Sequence, residues 1–256
     1  MVLIITTAGG RGAACLDRLM GQIRDGGWRG PRFLVCDGPP VQASGWPIAA
    51  SGNRQGQRRT YWRALALGVE QTRGARDERF VILEDDVELC RNALQYIEAA
   101  PIPKGLDFIT WFDGHIMQAG SSPGIYPVPA ERFICLQKMT WRRTTAEILL
   151  RSPEAAAWPD RHSGDTLIGK ILRGRRYGIH VPNLIQHVGA QSICNPGQQL
   201  VGVRTANNYP GQRFDAALLT RRGAAPGSLR PPAPRAAWPR LVPPRGAARG
   251  SSAGRR

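Results

Sequence analysis

The chain has 256 residues, is 42% hydrophobic and 21% charged, and carries a net charge of +16. That length allows one sizeable core with an appended tail, and no apolar stretch approaches the ~20 residues needed to cross a bilayer. The five cysteines, at 15, 36, 90, 135 and 194, are scattered singly with no C-x-x-C, which argues against a disulfide framework and against a zinc cluster.

The opening MVLIITTAGG has no basic leader, so Val2 to Thr6 reads as a strand rather than a signal peptide. A reducing cytoplasm is the expected location. The strand turns at Ala8-Gly9-Gly10-Arg11-Gly12, and Leu16, Leu19, Met20 and Ile23 predict a helix over 14–25. Arg32 to Cys36 is a second strand, stopping at Asp37-Gly38. Residues 41–53 read as loop from their Pro, Gly and Ser. Residues 55–72 read as a helix with Tyr61, Leu65 and Val69 on its apolar face and Gln57, Arg58 and Arg59 at its start. Phe80 to Leu83 is a third strand, ending in Glu84, Asp85 and Asp86. A helix over 89–99, strands over 107–112 and 133–136, helices over 141–150 and 164–173 and a short strand over 177–181 follow.

This alternation predicts an α/β fold with a mainly parallel, Rossmann-type sheet flanked by helices. Such sheets bind ligands at the carboxyl ends of their strands. Thr6, Thr7, Asp37 and the acid triplet end three different strands and so could converge on one site.

Three consecutive acids are unfavourable unless something cationic sits between them. The string VILEDDVELCRNALQYI resembles the first strand and helix of a response-regulator receiver, where paired acids bind Mg²⁺. Yet residues 128–132, where a phospho-accepting Asp would fall, are Val-Pro-Ala-Glu-Arg, and the acids follow two β/α units. The AGGRG turn resembles the triphosphate-holding loop of sugar-nucleotide nucleotidyltransferases. Here Ala13-Ala14-Cys15-Leu16 stands where that loop continues Thr-Arg-Leu.

A third resemblance spans roughly residues 2 to 195. Glu84-Asp85-Asp86 at a strand end, followed by Gln186-His187-Val188-Gly189 and then Ser192, resembles GT-A-type nucleotide-sugar glycosyltransferases. The closest likeness is to their Glu-Asp-Asp, N-acetylglucosaminyltransferase-like branch. The resemblance implies a divalent cation, Mn²⁺ or Mg²⁺, which neutralises the departing diphosphate.

It implies Asp86 as direct metal ligand, Asp85 on the ribose or donor sugar, and Glu84 behind them. His187 becomes a further metal ligand, since neutral imidazole suits Mn²⁺. Thr6 and Thr7 would meet the base, Asp37 a uracil imide, and Arg58 and Arg59 the nucleotide phosphates. Asp165, opening a helix in Ser-Gly-Asp-Thr-Leu, would be the general base on the acceptor hydroxyl. The implied partners are a nucleotide-sugar donor, UDP-sugar favoured, and a carbohydrate or other hydroxyl acceptor. Residues 112–132, rich in Gly, Pro and Ser, are the expected acceptor loop or lid.

These expectations place a catalytic domain at 1–212 and a tail at 213–256. Residues 221–256 hold nine Arg, seven Pro and no acid, leaving +7 on residues 1–220. With two Leu the tail cannot bury enough surface to order itself. It reads either as an arm making weak contact with anionic surfaces or as a solvated, non-specific extension. Two further readings remain open beside glycosyl transfer: nucleotidyl transfer, and non-catalytic nucleotide binding.

Overall fold

A computed structural model describes residues 1–8, 13–43, 45–113, 117, 121–134, 136, 138–158, 163–188, 206 and 208–221. The rest of the AGGRG turn, Cys135, Cys194, Ser192 and the basic segment from 222 on lie outside the described residues.

The strands are β1 (Val2–Ala8), β2 (Arg32–Asp37), β3 (Ile48–Ala50), β4 (Arg79–Glu84), β5 (Val87–Leu89), β6 (Phe108–Thr110), β7 (Gly124–Pro129), β8 (Lys138–Arg142), β9 (Arg176–Val181) and β10 (Ile185–His187). The helices are α1 (Ala13–Asp25), α2 (Gln57–Gln71), α3 (Ala93–Ala99), α4 (Arg143–Arg151), α5 (Pro153–Ala157), α6 (Gly164–Ile171) and α7 (Ala217–Arg221). Eight strands form a central sheet in the order β3-β2-β1-β4-β8-β6-β9-β7, and β5 pairs with β10 in a separate two-stranded unit. The architecture is α/β, as the alternation predicts. Six strands of the large sheet share one direction, while β8 and β7 run against them.

The central strands are apolar throughout because both of their faces are covered. Along β1, Leu3 and Ile5 join a core with α1 and α3, while Val2 and Ile4 join a second core with α2, α4 and α6. The α2–β4 contact is close enough to require glycine. A Cβ at Gly68 would lie 2.4 Å from the Phe80 ring.

Several segments depart from their sequence reading. Phe133, Ile134 and Leu136 lie in no strand; a 3₁₀ turn at Ala130–Arg132 precedes them, and β8 begins at Lys138. The stretch expected to be helical from Leu89 starts as β5, turns at Asn92 in the left-handed region (φ 57°) and becomes helical at Ala93. The Pro-containing stretch within 112–132 includes β7, which carries Pro127 and Pro129. An edge strand tolerates proline because one side of its backbone needs no partner.

The packed chain also continues past residue 212. Ala216 and Leu219 are buried in the α1–α3 core, Phe214 packs against it, and Asp215 Oδ2 pairs with Arg91 Nη2 at 3.2 Å. Residues 213–221 therefore belong to the fold. Their apolar positions are too few to register as a helix in sequence.

Candidate functional site

Strands β1, β2 and β4 are parallel neighbours, so their carboxyl ends open on one side. The register sets Thr6 beside Glu84 and Ala8 beside Asp37. A cavity of about 180 Å³ lies there. Its walls are the strand ends (Thr6, Thr7, Ala8, Asp37, Glu84, Asp85) and the entry and first turn of α2 (Arg54, Gly56, Gln57, Thr60, Tyr61).

The three acids are 5%, 2% and 1% exposed, which rules out a solvated strand end. They do not cap a helix either, because β5 follows them and α3 starts only at Ala93. Burying three adjacent carboxylates is tolerated only where hydrogen bonds and countercharges hold them. Each has its own partner. Glu84 Oε1 accepts from Gln57 Nε2 at 2.5 Å, on the α2 side. Asp85 Oδ2 accepts from Thr7 Oγ1 at 2.5 Å, and the Asp85 amide donates to the Thr6 carbonyl at 3.0 Å. Glu84 is thus held from α2 and Asp85 from β1.

Asp86 Oδ2 lies 3.1 Å from His187 Nε2, with both side chains almost wholly buried. The two residues are 101 positions apart. They meet because β10 runs antiparallel to β5, with His187 opposite Val87, and because the Val188 amide donates to the Asp86 carbonyl at 2.9 Å.

Asp37 lines the cavity, but its carboxylate is engaged by backbone. Oδ1 accepts from the Gln55 and Gly56 amides at 2.6 and 3.2 Å. Asp37 thus fixes the loop that enters α2, where Gly56 takes a positive φ of 88°.

Arg58 and Arg59 do not line the cavity. Arg58 Nη1 donates to the Ala155 carbonyl at 3.2 Å, toward α5, and Arg59 is exposed. The arginine on the wall is Arg54, which the sequence buried in an unremarkable Gly- and Ser-rich loop. Gln57, Thr60 and Tyr61 are the other wall residues of this segment. The Tyr61 hydroxyl accepts from Trp141 Nε1 at 2.9 Å, and burial raises its pKa well above the usual phenol value, so it stays neutral.

Asp165 sits half-buried in the first turn of α6, with the Thr166 amide donating to its Oδ1 at 3.1 Å. It does not line the cavity. The start of α6 does abut the start of α2: a Cβ on Gly164 would lie 3.8 Å from Arg58 Cγ and 3.7 Å from the Trp62 ring.

Among the described residues no group of three or more His, Cys, Asp or Glu side chains is arranged to hold a metal ion. The donor pair present is one carboxylate and one imidazole. That set fits a divalent cation whose remaining positions come from phosphate oxygens and water. Among the described residues, no helix is long and apolar enough to cross a membrane.

No protein-family model and no curated protein matches the chain. Among solved structures it is similar to a glycosyltransferase involved in the glycosylation of the major capsid of PBCV-1. Identity is 11%, coverage is 75% of this chain and 94% of that one, and the TM-score is 0.41. It is also similar to A197 from STIV, at 12% identity, covering 72% of this chain and 83% of that one, with a TM-score of 0.43. Both likenesses are coarse, and the functional reading rests on the site.

Proposed function

We propose that this chain is a GT-A-type, metal-dependent glycosyltransferase, moving a sugar from a nucleotide-sugar donor to a hydroxyl acceptor. The observation that carries the reading is the buried Asp86–His187 pair, one residue on from Asp85 in the wall of the cavity at the carboxyl ends of β1, β2 and β4. An Asp and a His held 3.1 Å apart away from water bring a carboxylate oxygen and an imidazole nitrogen to one point, where a cation would replace the proton they share. The cavity that begins at Asp85 is mostly apolar with Thr, Asp, Glu and Arg side chains set in its wall, the kind of lining that takes a nucleoside moiety.

In this reading Asp86 and His187 hold the cation, and Mn²⁺ or Mg²⁺ supplies electrostatic stabilisation of the diphosphate when bound. Thr7 holds Asp85 in one orientation toward the donor, and Gln57 does the same for Glu84. Asp165 accepts the acceptor's hydroxyl proton. The acceptor oxygen then bonds to the anomeric carbon as the carbon–oxygen bond to the diphosphate breaks, and the diphosphate leaves with the electron pair. The outcome is inversion. UDP-sugars are the first donors to test.

Turnover of a UDP-sugar panel with Mn²⁺, followed as UDP release, tests the reading. Asp165→Asn is expected to lower turnover by on the order of 10²-fold or more while Mn²⁺–UDP binding is kept. Wild-type turnover in that variant removes Asp165 as the base. Nucleotide binding without release from any donor would favour a non-catalytic binding protein.

A further inference from the structure

The two-stranded unit that brings His187 to Asp86 is only three residues long on each side. So short a pair is not stable alone in water. Something else must fix its register, and the structure shows what does. The middle rung of the pair sets Glu88 opposite Gln186, one residue from the rung that carries His187. Ala206 and Tyr209 grip that middle rung from both strands. The Ala206 amide donates to Gln186 Oε1 at 2.9 Å, and the Tyr209 hydroxyl donates to Glu88 Oε1 at 2.9 Å. The same segment continues along the outgoing end of β5. The Arg91 amide donates to the Gln212 carbonyl at 3.1 Å, and the Ala216 amide donates to the Arg91 carbonyl at 3.0 Å. Asn92 Nδ2 donates to Asp215 Oδ1 at 2.9 Å, and α7 packs Leu219 into the core behind α3.

We infer that residues 206 and 208–221 form a strap whose Tyr209–Glu88 hydrogen bond is a positioning contact for the Asp86–His187 pair; this rests on the reading of that pair as the cation site. Burial raises the Tyr209 hydroxyl's pKa far above the usual phenol value, so Tyr209 remains a donor at any physiological pH. A strap that closes the middle rung leaves Asp86 and His187 little freedom to splay. A cation held by only two protein groups depends on that preorganisation. The segment is thus part of the binding machinery, although none of its side chains lines the cavity.

The test uses the full chain with Tyr209→Phe, Glu88→Ala and Glu88→Gln. Mn²⁺ affinity is read from the free-ion paramagnetic resonance signal. The His187 ring resonances are read by heteronuclear NMR, assigned with His187→Gln. Tyr209→Phe and Glu88→Ala are expected to weaken Mn²⁺ binding on the order of tenfold, as loss of an outer partner does, and to move the His187 ring shifts. Glu88→Gln, which keeps an acceptor oxygen, is expected to stay close to wild type. A merely structural contact would lower the melting temperature without moving those shifts or the Mn²⁺ affinity, and that result overturns the inference. If the wild type binds no Mn²⁺, the cation-site reading fails. The strap is then judged by the His187 shifts alone, and unchanged shifts in Tyr209→Phe refute it.

Discussion

Thr7 Oγ1 donates to Asp85 Oδ2 across 2.5 Å, joining the carboxyl ends of β1 and β4. A hydroxyl that donates to a buried carboxyl oxygen supplies the hydrogen bond that water would otherwise give. The neighbouring Thr6 ties the same two strands again, donating to the Leu83 carbonyl at 3.3 Å.

Thr7→Val keeps the shape and removes that donor. Leaving a buried carboxylate short of a bond costs about 2 kcal/mol. The variant is expected to lose that much stability in urea unfolding and to weaken nucleotide binding on the order of tenfold, whereas Thr7→Ser keeps both near wild type. Equal nucleotide affinity in Thr7→Val would detach Asp85 from the donor.

Asp37 separates two accounts of one residue. As a base-reading group, its loss lowers nucleotide affinity alone. As the acceptor for the Gln55 and Gly56 amides, its loss also loosens the entry to α2. The geometry favours the second, and Asp37→Ala is expected to cost about 1 kcal/mol, as removal of a helix-entry acceptor does. Thermal melts and UDP titrations of the same variant decide: an unchanged melting temperature with weakened binding would restore the base-reading role.

Much of this was legible in the sequence, and what was hidden has a physical cause. Strands β1, β2 and β4 and helix α2 are buried along long faces, so their periodicity is strong, and polar residues after an apolar run mark the strand ends. Asp86 and His187 were brought together only by the family resemblance, as ligands of one cation, and by no pattern in the chain itself. Their meeting depends on β5 and β10, whose three-residue lengths show no period. Val87-Glu88-Leu89 fits the start of a helix as well as a strand. Arg58 and Arg59 stand outside the cavity wall because of helix geometry. Successive residues turn about 100° around the axis, so Gln57 faces the cavity while Arg58 turns to α5. Arg54 precedes the helix, where no pattern distinguishes it.

His180 gives the fold a pH dependence separate from the site. It is buried between the rings of Tyr96 and Trp111. Nδ1–H donates to the Pro182 carbonyl at 2.7 Å, which leaves Nε2 to accept from the Tyr96 hydroxyl at 3.1 Å. Burial pushes its pKa down from 6.5 to about 4. Above pH 6.5 neither folded nor unfolded chain protonates it, and it contributes no slope. As pH falls from 6.5 toward 4 the unfolded chain takes up a proton that the folded chain refuses, so stability falls. The total loss is roughly 3 kcal/mol, after which the contribution is flat. Urea unfolding of wild type and His180→Gln between pH 7 and 4 should show this slope only in the wild type. Parallel curves would show that His180 is not held neutral.

The most direct test of the central claim is calorimetric titration of UDP, with and without Mn²⁺, into the wild type and Asp86→Ala. The buried Asp86–His187 pair predicts that UDP binds with Mn²⁺, binds weakly or not at all without it, and loses its Mn²⁺-dependent binding in the variant. Absence of UDP binding to the wild type under both conditions, or Mn²⁺-dependent binding that survives in Asp86→Ala, would contradict the account.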